Sequence, residues 1–320
     1  MTDLIVYITS CGPNVKDPNY WKNLVATLSS LSKNIGDISY KFYIVVSDRR
    51  LESFTNGLFK NQRFSAVINQ DALLEVVYSQ DNWAKCYNDF LSQYQDKAEY
   101  ILISHDDILV ETPNFITTTL EQLRNKKDPI GWISFTNTKY QKINHKPIAN
   151  SFKDPFAKDR FKQPCLFECH KFTMKQRVTE QTKELLDYPL APVKAYGPYT
   201  HLVLVSTKSM KKIGKCSEWT DYTIFIDDDW NLASLKEGLY NVWVPNIFYQ
   251  HPNPNYNYLR KPGTDLRFMD QASALFIEKW GFDPREVMSE EKIEEIKEKF
   301  SGTNVGHTAG RNTYEWDYLK

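Results

Sequence analysis

The sequence predicts an α/β protein, a mostly parallel sheet with helices on both faces. Two observations carry this. Short apolar, β-branched runs alternate with segments whose leucines and aromatics recur at helical spacing, the pattern of strands joined by covering helices. Three of the runs also end in polar groups able to bind something: Thr9-Ser10, Ser47-Asp48 and His105-Asp106-Asp107. Ligands of such sheets sit outside the carboxyl ends of the strands.

The elements follow in order. Leu4–Ile8 reads as a strand, broken by Thr9-Ser10-Cys11-Gly12-Pro13. Residues 21–31 place Leu24, Leu28 and Leu31 on one helical face. Tyr40–Val46 and the shorter Glu75–Tyr78 are strands, and 83–94 is a helix with Tyr87, Phe90 and Leu91 on one side. Tyr100–Ser104 is a strand, 115–123 a helix and Ile130–Phe135 a strand. The stretch 137–195 has a different texture, rich in Lys, Asn, Gln and Pro. It carries Lys142, Lys146, Lys153, Lys158, Arg160 and Lys162 and reads as an insertion beside the site, its basic face mainly solvated. Regular structure resumes with a strand at 202–206, helices at 207–213 and 231–237 capped by Gly238, a strand at 240–248 and a helix at 267–280. A charged helix at 289–300, with Ser289 as its cap, precedes an irregular tail. The organisation is thus an N-terminal half (1–136), an inserted region (137–195), a second half of the same domain (196–282) and a C-terminal helix and tail (283–320).

Composition narrows the function. The 320 residues hold 40 Lys plus Arg and 40 Asp plus Glu, so no net charge is available to coat a nucleic acid. Aromatic residues are 14% of the chain, and such rings suit sugar faces as well as cores. Five scattered cysteines (Cys11, Cys86, Cys165, Cys169, Cys216) do not form a disulfide framework and suit a reducing compartment. Cys165, Cys169 and His170 could be tested against zinc, but no second ligand cluster follows, which favours a plain loop. The N-terminus lacks a basic leader, and no stretch approaches the ~18 apolar residues of a membrane span. These features predict a cytoplasmic protein that would meet any lipid-linked molecule at the membrane surface.

Two acidic clusters carry the chemistry. Adjacent carboxylates at Asp106-Asp107, after a buried strand, repel unless a cation or donor relieves them. Mg2+ or Mn2+ would bind there and keep positions open for phosphates. A capping Asp with an exposed neighbour is the plainer alternative. Asp227-Asp228-Asp229 stands before a helix, where carboxylates cap the terminus or act as a general base. His251 ends a late strand, a position from which an imidazole completes a metal site.

The ordered set resembles the glycosyltransferases of GT-A fold, in the inverting family 2-like group. Ile5-Val-Tyr-Ile-Thr-Ser10 resembles the family's first strand and nucleotide loop, and Tyr43-Ile-Val-Val-Ser-Asp48 its second strand with an acidic nucleoside contact. Asn82-Trp-Ala-Lys-Cys-Tyr-Asn88 is similar to a segment that carries an Asn, and Glu99–Ile108 to the strand ending in the DxD motif. Gly197–Ser206 with Met210–Gly214, Ile226–Leu232, Val244–His251 and Leu275–Gly281 resemble the acceptor strand, the Glu-Asp motif, the histidine-bearing strand and a recurring C-terminal segment. Two positions depart from the pattern: His105 stands for the first Asp of DxD, and Asp228 for the Glu of Glu-Asp.

The resemblance implies transfer of a sugar from a nucleoside diphosphate sugar, of the UDP type, to a glycan, lipid-linked or protein hydroxyl. It implies a metal on Asp107 and His251, with His105 a further candidate. Thr9, Ser10, Asp48, Asn88 and Asp106 would hold the donor. Asp229, or alternatively Asp228, would be the base, and Trp219 and Trp230 would stack on sugars. Two other readings remain at this stage: a sugar-phosphate nucleotidyltransferase, for which the basic loop after the first strand is weak, and a non-catalytic nucleotide- or glycan-binding module, for which His105 is the best support.

Overall fold

Strand β1 (Thr2–Ser10) is apolar at every position from Leu4 to Ile8, so both its faces must be covered. They are: Leu4, Val6 and Ile8 join one hydrophobic core, Ile5 and Tyr7 the other. The computed structural model describes residues 2–10, 20–47, 51–60, 75–79, 83–127, 129–137, 141–143, 146–148, 192–195, 201–218, 225–251 and 264–282. After β1 the elements are α1 (Tyr20–Asn34), β2 (Tyr40–Ser47), α2 (Leu51–Lys60), β3 (Glu75–Ser79), α3 (Trp83–Tyr94), β4 (Ala98–His105), β5 (Leu109–Val110) and α4 (Phe115–Leu123). Then come β6 (Ile130–Asn137), β7 (Gln141–Ile143), β8 (Lys146–Ile148), β9 (Val193–Ala195), β10 (Leu202–Ser206), α5 (Thr207–Ile213), α6 (Ile226–Lys236), β11 (Tyr240–Gln250) and α7 (Thr264–Trp280).

The main sheet runs β3-β2-β1-β4-β10-β6-β11-β5, with β9 also on β11. Strands β3, β2, β1, β4, β6 and β11 point one way, and β10 runs against them between β4 and β6. Residues of α1, α2 and α4 fill the core on one face; those of α3, α5 and α6 fill it on the other. The expected class is therefore present, a mixed α/β fold with a mostly parallel sheet covered on both sides. Because β1 sits between β2 and β4, the chain winds outward from it in both directions. The crevice at such a switch point is where open α/β sheets bind ligands.

Several features differ from the sequence reading. The hairpin β7–β8 and strand β9 fall in the region read as an insertion, and α2 and β5 were not foreseen. The direction of β10 is set by pairing with β4 and β6, which no local pattern encodes. Helix α6 begins at Ile226, so the three aspartates occupy its first turn instead of preceding it. Carboxylates there meet the positive end of the helix dipole, and Phe225, at φ +59°, makes the entry. Gly238 follows the helix at φ +69°, as its residue type led one to expect.

Trp230 is a correction. It was expected to face a sugar, but it is buried and stacked on Trp132, with ring centroids 4.6 Å apart at 20°. Trp132 Nε1 also donates to the Trp230 carbonyl at 3.1 Å. The aromatic excess thus serves the core at this position. Asp48, the Cys165/Cys169/His170 cluster, Trp219 and the helix at 289–300 lie outside the described residues. Among the described residues no helix is long and apolar enough to cross a membrane.

Candidate active site

Four strand ends meet at one edge of the sheet. β1, β4 and β11 deliver their carboxyl ends there, and antiparallel β10 delivers its start. Register pairs Thr9 with His105, and Leu202 with Ser104, which brings His201 alongside His105. His105 N donates to the His201 carbonyl at 3.0 Å. Past Asp107 the chain turns into β5, where Leu109 pairs with Gln250 and Val110 with Tyr249. That pairing carries Asp107 to His251: the imidazole Nε2 lies 2.9 Å from Asp107 Oδ1. Residues separated by more than 140 positions become neighbours through two short hydrogen-bonded stretches.

His105, Asp107 and His251 each offer one ligand atom, and the three atoms lie within 4.8 Å of one another. His251 is buried and the other two are half-buried. His201 completes a patch of imidazoles, its ring centroid 4.3 Å from His251 and 5.0 Å from His105. Burial, reinforced by the neighbouring His251, pushes the His105 pKa down to about 4, although Asp107 opposes the shift. For Asp107 burial pushes upward, but the His251 hydrogen bond and the charges of His251 and His105 outweigh it and hold the carboxyl below its usual range. The cluster therefore offers a carboxylate and an unprotonated imidazole near neutral pH, the forms that bind a metal.

The turn bearing Asp106 and Asp107 is splinted by helix α1. Thr27, Ser30 and Asn34 form a polar stripe beside the leucine face. Thr27 Oγ1 donates to the Asp106 carbonyl (2.9 Å), Ser30 Oγ accepts from Val110 N (3.2 Å), and Asn34 Nδ2 donates to the Val110 carbonyl (3.0 Å). Ser10 Oγ donates to Asp106 Oδ2 at 2.6 Å and is itself 2.6 Å from the Tyr20 hydroxyl. Tyr20, Ser10 and Asp106 form a continuous run of contacts beside the carboxyl ends of β1 and β4. Ser10 and Asp106, chosen separately from sequence, are thus in contact.

The other sequence candidates are placed elsewhere. Asn88 sits inside α3, buried, with Oδ1 accepting from Cys216 N (3.0 Å) and Nδ2 donating to the Cys216 carbonyl (2.9 Å) and to Glu218 (2.8 Å). This departs from a donor contact, since its amide is engaged by the protein. Asp229 is buried on α6 and bonded to Ser217, Lys279 and Trp280. Asp227 and Asp228 are half-buried beside it. Burial, and after it the Asp227 charge, raise the Tyr249 pKa. Sequence reasoning missed His201, the α1 stripe and the partners of Asp229. Each depends on which strand or helix lies alongside, and only the polar 27/30/34 spacing left a visible signal.

No protein-family model and no curated protein sequence matches the chain. Among solved structures it is similar to GalNAc-T7 with UDP, GalNAc and Mn2+, at 11% identity and a TM-score of 0.48, covering 79% of this chain and 44% of that one. It is similar to the mannosyltransferase PcManGT from Pyrobaculum calidifontis with GDP-Man and Mn2+, at 13% identity and a TM-score of 0.45, covering 86% and 64%. A third likeness is to 4-diphosphocytidyl-2C-methyl-D-erythritol synthase from Anaerococcus prevotii, at 16% identity and a TM-score of 0.32, covering 47% and 60%. The chain spans less than two thirds of the length of each of these proteins.

Proposed function

We propose that this protein is a GT-A-like glycosyltransferase that moves a sugar from a nucleoside diphosphate sugar, of the UDP type, to an acceptor hydroxyl with inversion. The observation that carries this reading is the meeting of His105, Asp107 and His251 beside the Ser10–Asp106 pair, at the switch point of the sheet.

The donor set fits a divalent ion. His105, Asp107 and His251 each offer one ligand atom, and the three atoms lie within 4.8 Å of one another. Two imidazoles with one carboxylate favour Mn2+ over Mg2+. Held by these three residues, such an ion would neutralise charge on a departing diphosphate. Thr9, Ser10 and Asp48 hold the nucleoside, and Asp106, fixed by Ser10, takes the ribose. A base at the start of α6, Asp228 or Asp229, accepts the proton of the acceptor hydroxyl. The acceptor oxygen then bonds to the anomeric carbon from the face opposite the diphosphate, which leaves with the electrons of the broken C–O bond. The acceptor is a glycan, lipid-linked or protein hydroxyl, reached in the cytoplasm or at a membrane surface.

The test is a thermal-shift screen of nucleotide sugars with MnCl2, since a ligand that binds only the folded state raises its melting temperature. UDP-sugars should raise it in a manganese-dependent way. UDP binding that survives both EDTA and Asp107→Ala would sink the metal-site reading.

A further inference from the structure

The aspartate in the register of the family's base is enclosed by protein donors. Asp229 has only 1% of its side chain exposed. Its Oδ2 accepts from the backbone N–H of Ser217 at 3.1 Å. Its Oδ1 accepts from Lys279 Nζ at 2.6 Å and from Trp280 Nε1 at 2.9 Å. Lys279 Nζ also donates to Ser217 Oγ at 2.8 Å, which closes a ring of contacts among α6, the stretch after α5 and the end of α7. Oδ1 already accepts two donors and Oδ2 one, and at 1% exposure the carboxylate leaves a substrate hydroxyl no open approach. Breaking a pair whose carboxylate is buried is strongly destabilising.

The same stretch is gripped from its other side. Asn88 of α3 closes both backbone groups of Cys216, one residue before Ser217. The end of α7 is anchored by rings: Phe276 packs against Phe225, Trp280 and Phe282. Residues 216 and 217 are therefore tied to α3 by Asn88 and to α6 and α7 by Asp229. Asp228, its neighbour in the same helical turn, is half-buried. An aspartate so placed retains access that Asp229 lacks.

We propose that Asp229 is a positioning residue that fastens the 216–217 stretch and the Lys279-Trp280 end of α7 to the start of α6, and that Asp228 is the base. The second clause rests on the transferase reading above; the first does not. The arrangement gives Lys279-Trp280-Gly281 a reason to stand where it does, since a cation and an indole N–H side by side present two donors to one carboxylate oxygen.

A mutant cycle tests this in the full chain. Asp229→Asn and Lys279→Met should each lower the melting temperature by ~5 °C or more. The double variant should lose clearly less than the sum, because neither charge is left unpaired. An Asp229→Asn protein melting within about 1 °C of wild type, or strictly additive shifts, overturns the fastening role. Release of UDP from UDP-glucose with Mn2+ is the second readout. Lys279→Met should lose kcat together with Asp229→Asn, the KM for UDP-glucose staying within about twofold of wild type. The acid limb of the kcat–pH profile should persist in Asp229→Asn and vanish in Asp228→Asn. If Lys279→Met keeps the wild-type rate while Asp229→Asn alone abolishes it, Asp229 is the base and the proposal fails. A wild-type protein that turns over no nucleotide sugar sinks the transferase reading and the assignment of Asp228 with it; the melting cycle then decides the fastening role by itself.

Discussion

Replacing Thr27 by valine tests whether helix α1 sets the metal affinity of the turn it supports. Thr27 is fully buried, and its hydroxyl donates to the Asp106 carbonyl, the peptide oxygen directly before Asp107. Valine has nearly the same shape, so packing against the helix face is retained. What is lost is one hydrogen bond, and a carbonyl is left without its donor, at about 1–3 kcal/mol. At roughly 2 °C per kcal/mol for a chain of this size, the melting temperature should fall by about 2–6 °C. Without the Thr27 hydroxyl the turn loses a tether to α1, and the turn carries Asp107. Groups that orient metal ligands typically matter by about 10–100-fold in affinity, so Mn2+ binding should weaken by at least about tenfold. Thr27→Ser is the control: it loses a buried methyl but keeps the hydroxyl, so it should lose stability and keep Mn2+ affinity. Titration of Mn2+ followed by EPR, with melting curves alongside, reads both quantities. A Thr27→Val protein with wild-type Mn2+ affinity would show that the stripe only packs, and the splint argument would fail.

Three further outcomes follow from the same geometry. Asn88→Ala should orphan both backbone groups of Cys216 and cost about 2–5 kcal/mol, seen as a lower urea midpoint with Mn2+ affinity retained; weaker nucleotide binding at unchanged stability would restore it to the donor site. Asp107→Ala and His251→Ala should each abolish the rise in melting temperature that saturating Mn2+ produces, a rise worth about 2.7 kcal/mol at a hundredfold excess over Kd; a retained rise in both variants places the ion elsewhere. The third concerns pH in the metal-free protein. His105 has a folded pKa of about 4 against an ordinary value of 6.5, so the unfolded chain binds the extra proton between them. Its contribution is present in full above pH ~6.5 and is lost as pH falls toward ~4. Urea unfolding across that window should show the slope, and His105→Asn should flatten it; an unaltered slope assigns the effect to another group.

Much of the framework was legible because it is local. The unbroken apolar run of β1 demands cover on two faces, and Leu24, Leu28 and Leu31 declare one side of α1. The candidates at strand ends were legible for the same reason: polar residues that follow a buried run must surface at a sheet edge. Trp230 and Asn88 show the limit. Each was read from its neighbours in a motif, and each proved to be defined by a partner far away in sequence: Trp132 for the one, Cys216 for the other. A side chain's type states what it can bind; its surroundings decide what it does bind.

The chain by itself determined the α/β class, the alternation of strands and helices, and the residue types at the edge of the sheet, because apolar periodicity and strand termini are properties of short stretches. Tertiary structure decided the rest. The antiparallel insertion of β10 brings His201 beside His105, and the pairing of β5 with β11 sets Asp107 against His251. The enclosure of Asp229 needs the end of α7 to meet the start of α6. These are non-local pairings, selected by burial and hydrogen-bond closure across the whole fold, and a one-dimensional pattern holds no record of them.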